Sequence, residues 1–545
     1  MRARHWLFLF LTACTLLRWI YCAEAELSPD EAHYTLWSQR PDLAYFNHGP
    51  GIAVAIRAGT ALFGVNEFGV RFAGPLLALG TSLILFFFAR KLYGESVAVW
   101  TVVLLNAIPI FQAVWLTMTP DSPALFFWAA ALFTFWLALE KSGRGAPMGA
   151  SPVHRDTKST PAFTPWWPVT GLLIGLGFLS KYTNALEMLS VVLLLASRRK
   201  FRREFRRPGF WSMLAVFALC ALPALIWNRH HEWIPLARLG HFGGALARNP
   251  PEEWLAFLEM HLLGCSPLIF AGMLAALWWS REKARTSFRA QFLLWFAAPP
   301  LVLNFLFAFG KSGSPYCIAP ALVSLCILTV ALWQDAAAAN RGKQIFAVTA
   351  IGCGIGMCLV FLGADFFHAI GVPTPFGRDQ FPLRHGWKTT ARIVGEARNR
   401  QERELRHPVF LIADTAGTAS ELAFYLPDKR SEGPGHPPVY IPESQNIENQ
   451  FAFWPRYDEF VVPAGKPGEP PPTTAEEESA RAGVNSFLGR DALYITDRAG
   501  EDAPSSLRNG FERAELMGVY EIRHRGEPLR SIRVFACYNY RSLPL

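Results

Sequence analysis

Charge is scarce in this chain. Only 17% of its 545 residues are Asp, Glu, Lys or Arg, against 51% hydrophobic and 14% aromatic. A purely soluble chain of this length rarely has so little, so the composition fits a membrane protein that carries a water-soluble piece. Cysteine is too thin for a stapled fold. Of nine cysteines, only Cys537 lies in the last third, and the others lie in or beside apolar runs, which excludes a disulfide framework and leaves no metal-ligand spacing. No internal repeat is visible. The net charge of +9 sits in short loops between apolar runs and describes no nucleic-acid surface.

What is present is a series of apolar runs long enough to cross about 30 Å of hydrocarbon. The first spans Trp6 to about Tyr21, broken only by Arg18. The others lie near 72–90, 97–117, 122–139, 166–180, 183–197, 210–228, 259–280, 291–309, 315–333 and 344–364, which predicts about eleven transmembrane helices. Alternate loops sort by charge. Arg90-Lys91, Lys141 with Arg144, Arg155 and Lys158, the cluster from Arg198 to Arg207, Arg281 to Arg289, and Arg341 with Lys343 form a basic set. The other loops are poor in Lys and Arg. The positive-inside rule then makes the basic loops and the N-terminus cytoplasmic and sends the C-terminus outside. The basic cluster at 198–207 also suits contact with anionic membrane lipid. A signal peptide is the competing reading of the first run, and a retained first helix fits the later charges better.

Past about Val372 the spans stop. Residues 374–545 hold 22 Lys and Arg against 24 Asp and Glu, so this part is nearly neutral. Short apolar runs at 409–413, 492–496 and 531–535 predict buried strands, and 388–403 and 421–426 predict helices. The expected organisation is a transmembrane domain over 1–372, with a first external loop at 23–71, followed by an extracytoplasmic α/β domain over 373–545.

Candidate chemistry collects on the external face. Ser28-Pro29-Asp30-Glu31 reads locally as a helix start, with Ser28 as N-cap, Pro29 in the first turn, Asp30 favoured by the helix dipole and Glu31 closing a capping box. Thr119-Pro120-Asp121-Ser122 repeats the arrangement at another outer end. Capping alone accounts for either site. Two acids on one side of the membrane also suit a reactive cavity, because ionisable groups at membrane depth are costly and usually functional. His48 within Asn47-His48-Gly49-Pro50, Arg71, Lys181-Tyr182 and Lys311 to Tyr316 lie on the same face. Cations beside acids there suit an anionic lipid head group. Each has a plainer role as well: Lys181 as a snorkelling interfacial residue, Arg71 as a solvated partner of Glu67, and His48 as a turn residue. His230, His231 and His241 in an external loop are conceivable ligands of a divalent metal, and no metal site or cofactor is otherwise indicated.

These residues carry a resemblance. Leu27 to Gln39, Tyr45 to Pro50, Phe63 to Arg71, Thr119 to Pro123 and Leu179 to Thr183 resemble, in order, the bacterial branch of the protein mannosyltransferase superfamily, and within it the aminoarabinose and galacturonic acid transferases of lipopolysaccharide. Trp227 to Trp233, and more loosely Lys311 to Pro320, continue the likeness, and Asn449 to Trp454 resembles a segment of related bacterial members. The resemblance implies an α-helical polytopic GT-C fold in the inner membrane of a double-membraned bacterium. It implies a glycosyltransferase that takes a sugar from a polyprenyl-phosphate carrier and inverts its anomeric centre, with lipid A, core oligosaccharide, another glycan or a protein hydroxyl as acceptor. Carried over, Asp30 becomes the general base with Glu31 its neighbour and Asp121 the second acid. Lys181 and Arg71 become phosphate contacts, and His48, Tyr182, Lys311 and Tyr316 join the substrate-binding set. The chain departs from the family at Gly49-Pro50, where relatives often show two prolines, and at Asn47-His48, where the aminoarabinose enzymes carry an acid and a lysine. That leaves the sugar open.

Two other classes share part of the pattern. A secondary transporter also has many spans and buried ions, but it calls for internal repeats and helices broken at the membrane centre. A non-catalytic scaffold would use Phe451, Phe453 and Trp454 for binding a partner, although an aromatic cluster is more often core.

Overall fold

The computed structural model describes residues 2–142, 163–234, 251–307, 315–363, 385–442, 444, 446–459, 485–500, 502–524 and 527–542. The chain divides into two compact units. The first holds residues 1–24 and 41–377, and the second holds Ala25–Arg40 with Arg378–Leu545.

Among the described residues, the regular structure of the first unit is all helical. Its helices are α1 (Arg2–Glu24), α3 (Gly51–Phe63), α4 (Glu67–Arg71), α5 (Ala73–Tyr93), α6 (Glu95–Asn106), α7 (Pro109–Leu116), α8 (Asp121–Lys141), α9 (Trp166–Ser180), α10 (Ala185–Ser197), α11 (Pro208–His230), α12 (Pro251–Cys265), α13 (Pro267–Thr286), α14 (Phe288–Phe307), α15 (Ala319–Ala339) and α16 (Arg341–Leu362); α2 belongs to the second unit. Backbone in hydrocarbon must pair internally, which is why apolar runs of this length become helices. Among the described residues, six helices are long and apolar enough to cross a bilayer, or eight if each bent pair is one span. The sequence led us to expect about eleven.

The structure corrects two of the expected spans. The run at 97–117 is not one helix but α6 and α7, bent by 68°, because Pro109 cannot continue the ladder and disfavours helix at Ile108. The freed groups are met by a buried polar network. Gln112 Nε2 donates to the Asn106 carbonyl at 2.7 Å, and Arg18 of α1 donates to Asn106 Oδ1 at 2.7 Å and to Gln112 Oε1 at 3.0 Å. The run at 259–280 likewise straddles α12 and α13, bent by 97° at Ser266, whose φ is 65° ahead of Pro267. The pair at 166–180 and 183–197 forms helices of 15 and 13 residues joined by a 3-10 turn over Tyr182–Asn184.

Without a hydrophobic force between helices in lipid, close packing depends on small residues and shape. A Cβ on Gly171 of α9 would fall 2.2 Å from the Met213 carbonyl oxygen of α11. An aromatic core joins α8, α9 and α14, with Phe135 5.7 Å from Trp167 and 5.9 Å from Phe292.

The second unit is α/β. It comprises α2 (Pro29–Gln39), α17 (Trp387–Leu405), α18 (Ala416–Tyr425), α19 (Ser505–Gly510) and four strands: β1 (Phe410–Ala413), β2 (Ala492–Thr496), β3 (Phe511–His524) and β4 (Glu527–Tyr540). The sheet order is β1-β2-β4-β3, with β1 and β2 parallel and the other pairs antiparallel. The three apolar runs of the sequence lie within β1, β2 and β4. Strand β3 carries Glu512, Arg513, Glu515, Glu521 and Arg523 at an edge, where charge discourages further pairing, and that charge hides it from a search for apolar runs. Helix α18 is longer than expected, because Thr415 caps it by accepting from Thr418 N–H at 3.1 Å. All nine cysteines are free.

Candidate functional site

In the first unit, Lys181 and Asp121 come together. Thr119 and Pro120 turn the chain so that Asp121 opens α8, where the helix dipole favours a carboxylate. Lys181 ends α9, with its N–H donated to the Gly177 carbonyl at 2.8 Å. Its Nζ lies 2.7 Å from Asp121 Oδ1, and both side chains are only 14% exposed. Asn184, four residues after Ser180, locks the turn by donating to the Ala124 carbonyl at 2.8 Å. Trp128, Thr183, Cys317 and Pro320 line the space beside the pair, which measures about 10 Å³, room for roughly one water.

The His48 loop is pressed onto the same end of α9. A Cβ on Gly49 would lie 2.2 Å from the Leu179 carbonyl oxygen, and one on Gly51 would lie 2.5 Å from Ser180 Oγ. Glycine at both positions is what lets the loop backbone touch the helix just before Lys181. Tyr45 N–H closes the turn on the His48 carbonyl at 2.9 Å. Burial, and then the Lys181 charge, push the His48 imidazole down to about 3, so the ring is neutral. Arg71 ends α4 and is 2% exposed, which rules out its plainer role in a solvated turn. The Tyr182 ring lies 5.0 Å from Phe178 in the 3-10 turn after Lys181. Lys311 lies outside the described residues, and of Tyr316 only the backbone, in a 3-10 turn over Pro315–Ile318, is described.

Sequence reasoning missed Asp42. Its Oδ2 accepts from Trp227 Nε1 at 2.8 Å, tying the loop after α2 to the Trp227-Asn228 motif at the end of α11. His231 stacks on Trp227 with ring centroids 3.9 Å apart, and its Nδ1 lies 2.8 Å from the Trp227 carbonyl oxygen. His230 is exposed, and His241 is outside the described residues. Among the described residues no three His, Cys, Asp or Glu side chains are grouped to hold a metal ion.

In the second unit, α2 carries Asp30 and Glu31. Glu31 is fully buried, and its Oε2 accepts from Ser28 N–H at 3.0 Å and Ser28 Oγ at 2.9 Å, as its place in a capping box predicts. Asp30, the residue before it, is exposed. Burial by its neighbours, and then the Glu31 charge, push the Asp30 carboxyl above the ordinary range.

The rest of α2 is held by its own unit. Glu26 Oε2 accepts from the first N–H of α17, at Trp387, at 2.7 Å, and the Tyr425 hydroxyl accepts from Leu27 N–H at 2.8 Å. His33 stacks 5.5 Å from Phe451, and its Nδ1 lies 3.1 Å from Ser420 Oγ. The Ser420 hydroxyl donates to the Ala416 carbonyl at 2.6 Å, so His33 Nδ1 carries the proton and donates to Ser420. Burial pushes His33 down to about 4. Arg40 donates to the His436 carbonyl at 3.0 Å and sits 4.8 Å over Trp454. The Asn449 to Trp454 segment thus contributes the rings that seat α2.

The family model for dolichyl-phosphate-mannose-protein mannosyltransferases matches residues 47–149 and 160–227, which contain His48, Arg71, Asp121, Lys181 and Tyr182. The chain is 28% identical over 285 residues to the lipid A galacturonosyltransferase RgtD of Rhizobium johnstonii, covering 50% of this chain and 54% of that protein. It is 25% identical over 342 residues to the undecaprenyl phosphate-alpha-4-amino-4-deoxy-L-arabinose arabinosyl transferase 2 of Pseudomonas fluorescens, covering 58% and 57%. The match therefore spans little more than half the length of these curated relatives. Among solved structures, ArnT from Cupriavidus metallidurans bound to undecaprenyl phosphate superposes with a TM-score of 0.60 at 17% identity, over 97% of this chain and 98% of that one. An identity that low speaks for the fold, and the transmembrane helices with their C-terminal α/β unit follow it. The chain is thus similar over part of its length to dolichyl-phosphate-mannose-protein mannosyltransferases and to sugar transferases of lipid A and aminoarabinose, and it shares the fold of ArnT.

Proposed function

We propose that this protein transfers a sugar from a polyprenyl-phosphate carrier to an envelope acceptor, lipid A, core oligosaccharide or another glycan, with inversion at the anomeric carbon. The observation that carries the reading is the Lys181–Asp121 pair, 2.7 Å apart and mostly buried at the start of α8. A lysine fixed in this way offers a positive point to the phosphate on which charge grows as the sugar leaves. Arg71 and the His48 loop supply further contacts to the carrier.

In the proposed step Asp30 takes the proton of the acceptor hydroxyl, and the acceptor oxygen attacks the anomeric carbon. The bond from that carbon to the carrier phosphate breaks, and its electron pair leaves with the phosphate. Single displacement needs the base and the leaving group on opposite faces of the sugar. A carboxyl held above its ordinary range is the better base, since its proton affinity moves toward the working pH. The relatives act on galacturonic acid or aminoarabinose by their names, and these two sugars are the first donors to test. We further propose an inner-membrane location with a cytoplasmic N-terminus and a periplasmic C-terminal domain over 373–545, supported by the basic loop at Arg198–Arg207.

The test is transfer by membranes containing the wild-type chain, given undecaprenyl phosphate carrying each sugar, with lipid A and core read by mass. The expected result is one added sugar with the wild type and none with Lys181→Ala at matched expression. Equal transfer by both would remove the phosphate role of Lys181, and no transfer of either sugar to any envelope glycan would overturn the proposal.

A further inference from the structure

The second unit contains a cleft that no part of this reaction uses. It measures about 410 Å³, within the range of about 300–1,000 Å³ common for small-molecule sites. It opens at the carboxyl ends of the parallel pair β1 and β2, the edge at which open α/β sheets bind ligands. Asp414 follows β1 directly, donates its N–H to the Ile495 carbonyl of β2 at 2.9 Å, and accepts from Thr496 Oγ1 at 2.9 Å. Thr415 then caps α18, so the N-terminus of that helix starts at the cleft. Tyr440 and Tyr494 supply aromatic surface, while Glu448, Arg456 and Arg498 add charge.

Three features select the occupant. The charges balance, with Asp414 and Glu448 against Arg456 and Arg498, and Arg456 is already paired with Asp458, so the lining does not favour a phosphate or another strong anion. A lining that alternates tyrosine with acids, guanidinium groups and amides does not suit an acyl chain. It offers both donors and acceptors beside flat apolar faces. A peptide strand cannot add to β1, because that edge is taken by Tyr440: Ala413 N–H donates to the Tyr440 carbonyl and Tyr440 N–H to the Leu411 carbonyl, each at 2.8 Å. We infer that the C-terminal unit binds a neutral saccharide in the cleft between Asp414, Tyr440, Tyr494 and Arg498, a cleft lined by residues of that unit alone. Burial pushes the Asp414 carboxyl up, and the Asp497 charge adds to it, which suits a group that trades hydrogen bonds with sugar hydroxyls.

The experiment uses the full-length protein, purified in detergent and fluorescently labelled, on an array of neutral and acidic bacterial oligosaccharides. Asp414→Asn keeps the shape of the side chain, and Arg498→Ala changes an exposed residue, so neither depends on repacking the core. The expected result is binding to neutral oligosaccharides, weakened at least tenfold by each variant and retained by Lys181→Ala. Binding to no neutral oligosaccharide, or to acidic ones alone, would overturn the inference. So would binding lost in Lys181→Ala but kept in Asp414→Asn, since the saccharide contact would then belong to the transfer site. The readout is independent of transfer, so failure here leaves the proposed reaction standing, and the reverse also holds.

Discussion

A Cβ on Gly49 would fall 2.2 Å from the carbonyl oxygen of Leu179, so the loop that carries His48 meets α9 backbone to backbone. Leu179 is two residues before Lys181, and the contact fixes the loop against the lysine. Gly49→Ala forces the backbones apart, an overpacking that typically costs about 1–3 kcal/mol. Transfer is expected to fall more than tenfold with a lower Tm. Gly356→Ala in α16 is the control, because a Cβ there meets nothing within 4 Å. Full transfer by Gly49→Ala would show that this close approach is not needed.

The ion pair predicts a non-additive cycle. Removing one partner of a mostly buried pair leaves the other charge uncompensated, at a cost of up to about 3–5 kcal/mol when burial is complete. Lys181 and Asp121 keep 14% of their exposure, so each single change, Lys181→Met or Asp121→Asn, is expected to cost somewhat less. The double variant should cost clearly less than the two together, as read by thermal unfolding. Additive losses would mean that the residues act apart.

Asp30 and Glu31 stand side by side in sequence and separate in role. Glu31 accepts two hydrogen bonds from Ser28 and is fully buried, so Glu31→Gln is expected to lower stability by about 1 kcal/mol while transfer survives. Asp30→Asn should leave Tm unchanged and reduce transfer by about 10²–10⁴, the usual contribution of a general base. The base works deprotonated, and its folded pKa is raised. The rate should therefore fall as pH drops through a midpoint above the ordinary aspartate value of 3.8. Transfer by Asp30→Asn at the wild-type rate would move the base elsewhere.

His33 predicts a pH dependence of stability in the C-terminal unit. Its folded pKa is about 4 against an ordinary 6.5, so between those values the unfolded chain binds the additional proton. Stability therefore rises with pH across roughly pH 4 to 6.5 and is lost on acidification through that window. His33→Phe keeps the stacking on Phe451 and removes the titration. Thermal unfolding followed across pH 4 to 7 should show a flatter profile in the variant. An unchanged slope would assign the acid sensitivity to another group.

The helical layers were legible because apolar runs are long and have one solution in lipid, and the acids and cations were legible because charge is rare there. The breaks in α6–α7 and α12–α13 were not. Pro109 and Pro267 signal an interruption, but the angle depends on partners such as Arg18 and Gln112, far apart in sequence. Strand β3 was hidden by its charges. Asp42 gave no signal, being one polar residue in a polar loop until Trp227 folds over it. Asp30 and Glu31 were separable in the sequence, because the capping-box spacing gives Glu31 to Ser28 and adjacent helical residues point about 100° apart; the hydrogen bonds from Ser28 to Glu31 match that spacing.

Glu187 provides the remaining prediction. It lies in the first turn of α10, is fully buried, and neither carboxyl oxygen has a hydrogen-bond partner among the described residues. A buried polar group left unsatisfied costs about 1–3 kcal/mol, and an ionisable side chain kept inside a membrane protein at such a cost is usually functional. Glu187→Met matches the length of the side chain and removes the polar atoms. It is expected to raise Tm by several degrees, as measured in detergent, while lowering turnover in the transfer assay. A higher Tm at unchanged turnover would take Glu187 out of the reaction. A lower Tm would mean that the carboxyl is satisfied in the membrane, most simply by water entering beside α10.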